Sequence, residues 1–150
     1  MLSCLIMELN DILEIRQFKG LRLERKAGEI LVWGKLKDVE SVCPRCGEEA
    51  VKPHQYYEKR VRHLSILNQP TYLCFIHTLQ RCLACNRHFM EKVNFMDSQR
   101  QYTRVYERHV YEMCRGQSIS RVAEMEHLSR DEVKGLLKKS WFRATEKSSA

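Results

Sequence analysis

Cys43-Pro44-Arg45-Cys46-Gly47 and Cys82-Leu83-Ala84-Cys85-Asn86 enclose the stretch around which the rest of the chain is arranged. Each pair of thiols is separated by two residues, so one tight turn aims both sulfurs at a single tetrahedral ion. Two such turns supply four ligands. Gly47 and Asn86 strengthen the reading, because both residue types accept the left-handed backbone that curls the chain past the second cysteine. That curl turns amide N–H groups toward the sulfurs and offsets part of the charge that four thiolates bring together. One Cys-x-x-Cys is a weak signal, whereas two with matching flanks are a strong one. A redox Cys-x-x-Cys would sit at a strand-to-helix junction in a parallel α/β unit, and neither pair has that setting. Cys43, Cys46, Cys82 and Cys85 are therefore the expected ligands of one structural zinc ion. His54, His63, His77 and His88 could replace a thiolate in principle and are read as surface or strand residues.

Outward from this centre, composition narrows the classes. The chain has 150 residues, enough for one medium domain or two small ones. Its seven cysteines are an odd number, which argues against a complete disulfide framework. The opening Met1-Leu2-Ser3-Cys4-Leu5-Ile6-Met7 has no basic lead, and Glu8 interrupts it too early for a signal peptide or a membrane span. The expected compartment is the reducing cytoplasm, where paired cysteines mean metal more often than disulfide. Cys4, Cys74 and Cys114 read as small apolar core residues. Opposite charges cancel over residues 1–40, so the whole formal excess of +7 falls in residues 41–150. A basic excess is usually a solvated face, but beside a recognition fold it favours nucleic acid.

Residues 2–18 follow helical spacing through Leu5, Leu9, Ile12, Leu13 and Phe18, with Gly20 as the stop. Leu21 to Arg25 alternates, Ala27-Gly28 turns, and Ile30 to Trp33 resumes an extended run, which predicts a hairpin packing on the zinc unit. Between the cysteine pairs, His54 to Leu67 carries Lys59-Arg60-Val61-Arg62-His63, and Asn68-Gln69-Pro70 breaks it. Tyr72 to Arg81 alternates, with Leu73, Phe75, His77 and Leu79 on one face. The basic run can track a phosphate backbone or be an ordinary solvated face. Phe89 to Val93 is a last short strand, and Asp97 to Gln101 reads as a linker.

From Thr103 the period becomes helical. Val105, Tyr106, His109, Val110, Met113 and Cys114 form one stripe that ends at Gly116. Ser118 caps a second helix over Ile119 to Glu126, and His127-Leu128-Ser129 is a short turn. Ser129 and Glu132 form the capping box of a third helix, in which each side chain satisfies the other's backbone N–H. Val133, Leu136, Leu137 and Ser140 lie on one face, with Trp141-Phe142 beyond. Asp131, Lys134, Gly135 and Lys138 lie opposite, and Arg130 stands at the first turn. Two short helices joined by this turn, after a supporting helix, have the layout of a helix-turn-helix. His127 stands where such turns often place Gly, and Glu126 where they often place an apolar residue.

The fold class expected is α+β: a small antiparallel zinc-ribbon-type β domain, then an all-α helix-turn-helix domain of three helices. The divisions are residues 1–40, 41–97 and 98–150. Cys43 to Gly47, Arg60-Val61-Arg62-His63-Leu64, Arg81 to Phe89 and Ser118-Ile119-Ser120-Arg121-Val122-Ala123 together resemble the N-terminal half of bacterial ISL-three family insertion-sequence transposases. The resemblance implies a half that grips terminal inverted repeats in double-stranded DNA. It also implies that the RNase H-like catalytic domain is missing, whether by truncation, as a remnant or in an expressed fragment. No nucleophile–base pair or phosphate-binding glycine loop argues for an enzyme. Expected base readers are Arg130 and Lys134, Lys138 meets a phosphate or a base edge, and expected phosphate contacts are Arg121, Arg100, Arg104, Lys59, Arg60 and Arg62; Asp131 and Ser129 are further expected DNA-binding residues. Partners on this reading are DNA, a second copy or a full-length transposase, with no membrane and no small-molecule substrate, in the bacterial cytoplasm at the nucleoid. The rivals are a stand-alone regulator or transposition inhibitor, and a zinc-ribbon adaptor for another protein.

Overall fold

The computed structural model of the chain describes residues 15–97 and 100–148, with backbone alone at 20–21 and over 140–148. Strands β1 (Phe18–Lys26) and β2 (Glu29–Leu36) form the first hairpin, and β3 (Val51–Ile66) and β4 (Gln69–Cys82) the second. The short β5 (His88–Met90) follows, then helices α1 (Arg104–Gly116), α2 (Ile119–Glu126) and α3 (Arg130–Ser148). Most of the helix expected over residues 2–18 lies outside the described residues. Its end is corrected: Phe18, Lys19 and Gly20 belong to β1, so Gly20 stops no helix there.

All five strands form one sheet in the order β1-β2-β4-β3, with β5 also paired to β4. Both hairpins close on two residues with left-handed backbone: Ala27 and Gly28 in the first, Leu67 and Asn68 in the second. That turn matches the right-handed twist of the strands it joins. The second turn therefore comes one residue earlier than expected, and Gln69-Pro70 opens β4. The sheet is mixed rather than antiparallel, because β2 and β4 run side by side in the same direction, Ile30–Trp33 against Thr71–Cys74. The reason is directional: β2 must deliver the chain to Cys43 and β4 to Cys82, so both head for the same end. Residues 40 and 41 lie on the connection between β2 and β3 of this sheet.

The first core lies under one sheet face. Val61, Leu73 and Phe75 are covered by Ile15, Phe18, Val93, Phe95 and Met96. The rings of Phe18, Phe75 and Phe95 meet edge to face at 5.6–6.3 Å, the arrangement aromatic quadrupoles prefer. Gly34 is where the sheet admits Phe18: a Cβ there would strike the Phe18 ring and the Lys19 carbonyl. The second core joins the helices through Tyr106, Val110, Val122, Ala123, Val133 and Leu136, with Leu64 of β3 packed against it. Cys74 is buried and Cys114 half-buried, and burial raises the pKa of both thiols, as expected of packing residues.

Gln101, expected as the end of a linker, and Thr103 are hydrogen-bonded to β3. The Arg62 N–H donates to the Gln101 carbonyl at 2.8 Å, and the Thr103 N–H donates to the Arg62 carbonyl at 2.9 Å. Thr103 Oγ1 meets His63 Nδ1 at 2.7 Å and also caps α1 by accepting from the Tyr106 N–H. The helices therefore start from a segment hydrogen-bonded to β3.

Candidate metal centre and nucleic-acid interface

Two short turns position the thiols. After Cys43 the chain bends so that the Gly47 N–H reaches the Cys43 carbonyl at 2.9 Å; after Cys82 the Asn86 N–H reaches the Cys82 carbonyl at 2.9 Å. Gly47 and Asn86 both take left-handed backbone, with φ of 75° and 63°. The Leu83 N–H donates to the Ala50 carbonyl at 2.8 Å, and Val51 pairs with Cys82. The β3–β4 ladder thus clamps one turn against the other.

The four Sγ atoms lie within 4.8 Å of one another, with Cys43 and Cys85 at 3.6 Å and Cys46 and Cys82 at 3.5 Å. Four thiolates around one zinc ion at about 2.3 Å place their sulfurs about 3.8 Å apart, so the donor set fits. Among the described residues, this is the one group of three or more His, Cys, Asp or Glu side chains gathered closely enough to hold an ion. Electrostatics agree. Backbone N–H groups, that of Cys46 first, lower the Cys43 thiol to about 6. The Cys82 thiol is lowered too, by the Cys85 N–H first. The Glu48 N–H acts in the same direction on Cys46, but sharing with Cys82, burial, and crowding by Cys43 and Cys85 push it up to about 12. Four thiolates cannot share this space uncompensated, and a divalent cation supplies the missing charge. The chain carries a site for one structural zinc ion, and a closed sulfur shell leaves no position for water or substrate.

The helices have the expected caps. The Ser118 hydroxyl accepts from the Arg121 N–H at 3.2 Å. In the capping box, Ser129 Oγ accepts from the Glu132 N–H at 3.1 Å while Glu132 Oε2 accepts from the Ser129 N–H at 2.7 Å. His127 takes left-handed backbone (φ 56°, ψ 42°), which explains why this position so often holds glycine. Val122, Val133 and Leu136 are fully or almost fully buried, and Ala123 packs beside them. Arg130, Asp131, Lys134, Gly135 and Lys138 are all exposed on α3.

Glu126 accounts for its own oddity. It is buried, accepts from the Tyr106 hydroxyl at 2.9 Å, and faces Arg62 Nη2 at 3.4 Å and His109 Nε2 at 3.5 Å. His109 first, then Tyr106 and Arg62, hold its carboxyl below the ordinary value against the opposing effect of burial. Burial also raises the pKa of the Tyr106 hydroxyl.

The expected phosphate contacts divide. Arg62 is corrected: it is 3 % exposed and points into the junction rather than to solvent. Arg100 is corrected likewise, since its side chain is 10 % exposed and pairs with buried Glu107 at 3.3 Å. Arg60 is half-exposed, pairs with Glu29 at 2.7 Å and lies 3.7 Å over the Tyr72 ring. Arg104 is half-exposed and held by Asp97 and the Asn94 carbonyl. Arg121 is exposed beside Glu124. Lys59 is half-buried at a cleft of about 540 Å³ between sheet and turn, which Arg60, Tyr72, Tyr102, His127 and Glu132 also line. Ser129 is exposed, with its hydroxyl used in the cap.

A closed four-sulfur centre on a sheet, followed by a capped helix-turn-helix, defines a zinc-ribbon and helix-turn-helix protein. Residues 40–75 match the family described as the zinc-finger of transposase IS204/IS1001/IS1096/IS1165. Residues 91–141 match the helix-turn-helix domain of transposase family ISL3. The chain carries the zinc-finger and helix-turn-helix domains of ISL3-family transposases, in that order, as the resemblance implied. Cys82 and Cys85 fall between the two matched segments, and geometry joins them to Cys43 and Cys46. No curated protein and no solved structure matched the chain.

Proposed function

We propose that this chain is a zinc-stabilised, double-stranded DNA-binding unit that grips the terminal inverted repeats of an insertion sequence. The observation that carries the reading is α3, which buries Val133 and Leu136 and turns Arg130, Asp131, Lys134, Gly135 and Lys138 outward after a left-handed turn. Gly135 adds support. Nothing lies within 4 Å of a Cβ built there, so packing does not require glycine, although mid-helix glycine costs about 1 kcal/mol relative to alanine. Close approach of α3 to a duplex is a reason to keep it.

In this reading α3 enters the major groove. Arg130 and Lys134 donate to guanine O6 and N7, Asp131 accepts from cytosine N4, and Lys138 meets a phosphate or a base edge. Arg121, Ser129 and Lys59 lie against phosphates, as do Arg60 and Arg104 once they share their acidic partners. These contacts set register without reading sequence. The bound metal cross-links the sheet and takes no part in bond making. The chain's own role is binding, in the bacterial cytoplasm at the nucleoid, with a second copy or a full-length transposase on the same repeat. Among the described residues, no helix is long and apolar enough to cross a membrane.

The test is Lys134→Ala, titrated with a duplex selected from a random-sequence pool and with its scrambled counterpart. A base reader loses about 1–3 kcal/mol on the selected duplex and little on the scrambled one. Equal loss on both would leave Lys134 a phosphate contact. Affinity for both duplexes that does not change with salt would favour the protein-adaptor reading.

A further inference from the structure

Arg62 was expected on a phosphate, and its burial assigns it other work. Its Nη2 donates to the Glu126 carbonyl at 3.0 Å and meets Glu126 Oε2 at 3.4 Å, with Ser65 Oγ also at 3.4 Å. Its guanidinium lies 4.8 Å over the Tyr106 ring of α1 and 5.8 Å over the Tyr72 ring of β4. Its main chain hydrogen-bonds Gln101 and Thr103, which lead into α1. One residue of the zinc-bearing sheet thereby holds the end of α2 and the start of the segment entering α1. The carbonyl it grips belongs to the last residue of α2, immediately before the left-handed turn into α3. A cation at a helix C-terminus meets carbonyls that lack helical partners and the negative end of the helix dipole.

A buried ion pair is a poor way to gain stability, since an apolar pair of the same volume often does as well or better. Direction is what the pair adds. An apolar contact tolerates sliding, whereas Nη2, shared among a carbonyl, a carboxylate and a hydroxyl oxygen, fixes distance, and the Tyr106 ring against the guanidinium face fixes its tilt.

We infer that Arg62 is a positioning residue for DNA reading: through Glu126 it fixes the angle of α3 to the zinc-bearing sheet, so that sheet and helix engage one continuous site. This rests on the DNA-binding reading above. Arg62 touches no DNA. Its effect is on how many base pairs are read together and at what spacing, while zinc content and helix formation are set elsewhere.

The test replaces the pair by an apolar one, Arg62→Met with Glu126→Leu, which keeps volume and leaves no unpaired charge. The expected protein binds zinc in the wild-type ratio and has wild-type helical circular dichroism. Its hydroxyl-radical footprint on the selected duplex contracts to the stretch under α3. The ratio of affinities for selected and scrambled duplexes falls about tenfold, the scale of one base pair no longer read. An unchanged footprint and ratio would overturn the inference and leave Arg62 a packing residue. Should the double variant not fold, Glu126→Gln keeps the shape and an acceptor for Tyr106 while removing the charge. It is expected to lower the same ratio by a smaller factor, and an unchanged ratio in that folded variant overturns the inference equally. A wild-type chain that binds no duplex would instead overturn the DNA reading, and this one with it.

Discussion

The two ends of β3 solve the same problem with different chemistry. Near the zinc centre, residues 52–58 are all exposed, and what β4 buries opposite them is mostly polar, His77, Thr78 and Gln80, so the hairpin there has little apolar core. Near the helices, Val61, Arg62 and His63 are all buried, between an apolar core and a polar network. The first end gains from a metal because the chain buries little apolar surface there. The second already has a core and uses polar contacts to choose one geometry among several that would pack. Metal supplies stability where burial is missing; a directed ion pair supplies orientation where burial is plentiful.

That contrast can be broken most sharply at the sulfurs. Cys82→Ser is expected to abolish stoichiometric zinc, forfeiting binding free energy of about 10–16 kcal/mol in small zinc domains. Amide exchange should then become fast around residues 43–58 and 76–90, while α1 to α3 keep their protection. Equal loss in the helices would mean that the ends are not separable. Next comes Glu126→Ala, which leaves Arg62 buried without its carboxylate and is expected to destabilise by about 3–5 kcal/mol in denaturant unfolding. Zinc content should not change. A loss below 1 kcal/mol would show that water or relaxation replaces the carboxylate.

Acid sharpens the same end. The folded-state pKa of Glu126 is depressed below the ordinary 4.5, so its contribution is present above pH 4.5 and is lost as pH falls through the folded value. Wild-type stability should therefore fall more steeply than that of Glu126→Gln as acid is added below pH 4.5. Parallel curves would remove Glu126 from the account. The smallest effects lie on the surface: Ser129→Ala removes one half of the capping box and is expected to cost about 1 kcal/mol. Arg121→Ala breaks an exposed pair, with an effect on thermal stability within about 0.5 kcal/mol.

Much of this was legible in the residues because the deciding chemistry is local. Cys-x-x-Cys followed by Gly47 or Asn86, Ala27-Gly28, and Ser129 with Glu132 each state a turn or cap within a few positions, and all three occur. The parallel pairing of β2 with β4 was not legible, since it follows from where two distant strands must deliver their ends. The inward turn of Arg62 was hidden for a related reason. Alternation places it on a face, but only the arrival of α1 and α2 makes that face an interior. One signal did exist: Glu126 occupies a position helix-turn-helix proteins usually make apolar, and a buried carboxylate requires a cationic partner.

The measurement that bears most directly on the whole is a salt titration of duplex binding by the zinc-loaded chain, using a sequence selected from a random pool. Affinity should fall steeply and linearly on logarithmic axes as counterion release requires, with the selected duplex staying tighter than its scrambled form throughout. Affinity that is flat in salt, or no sequence enrichment from the pool, would contradict a basic helix fastened to a zinc-held sheet as a reader of DNA.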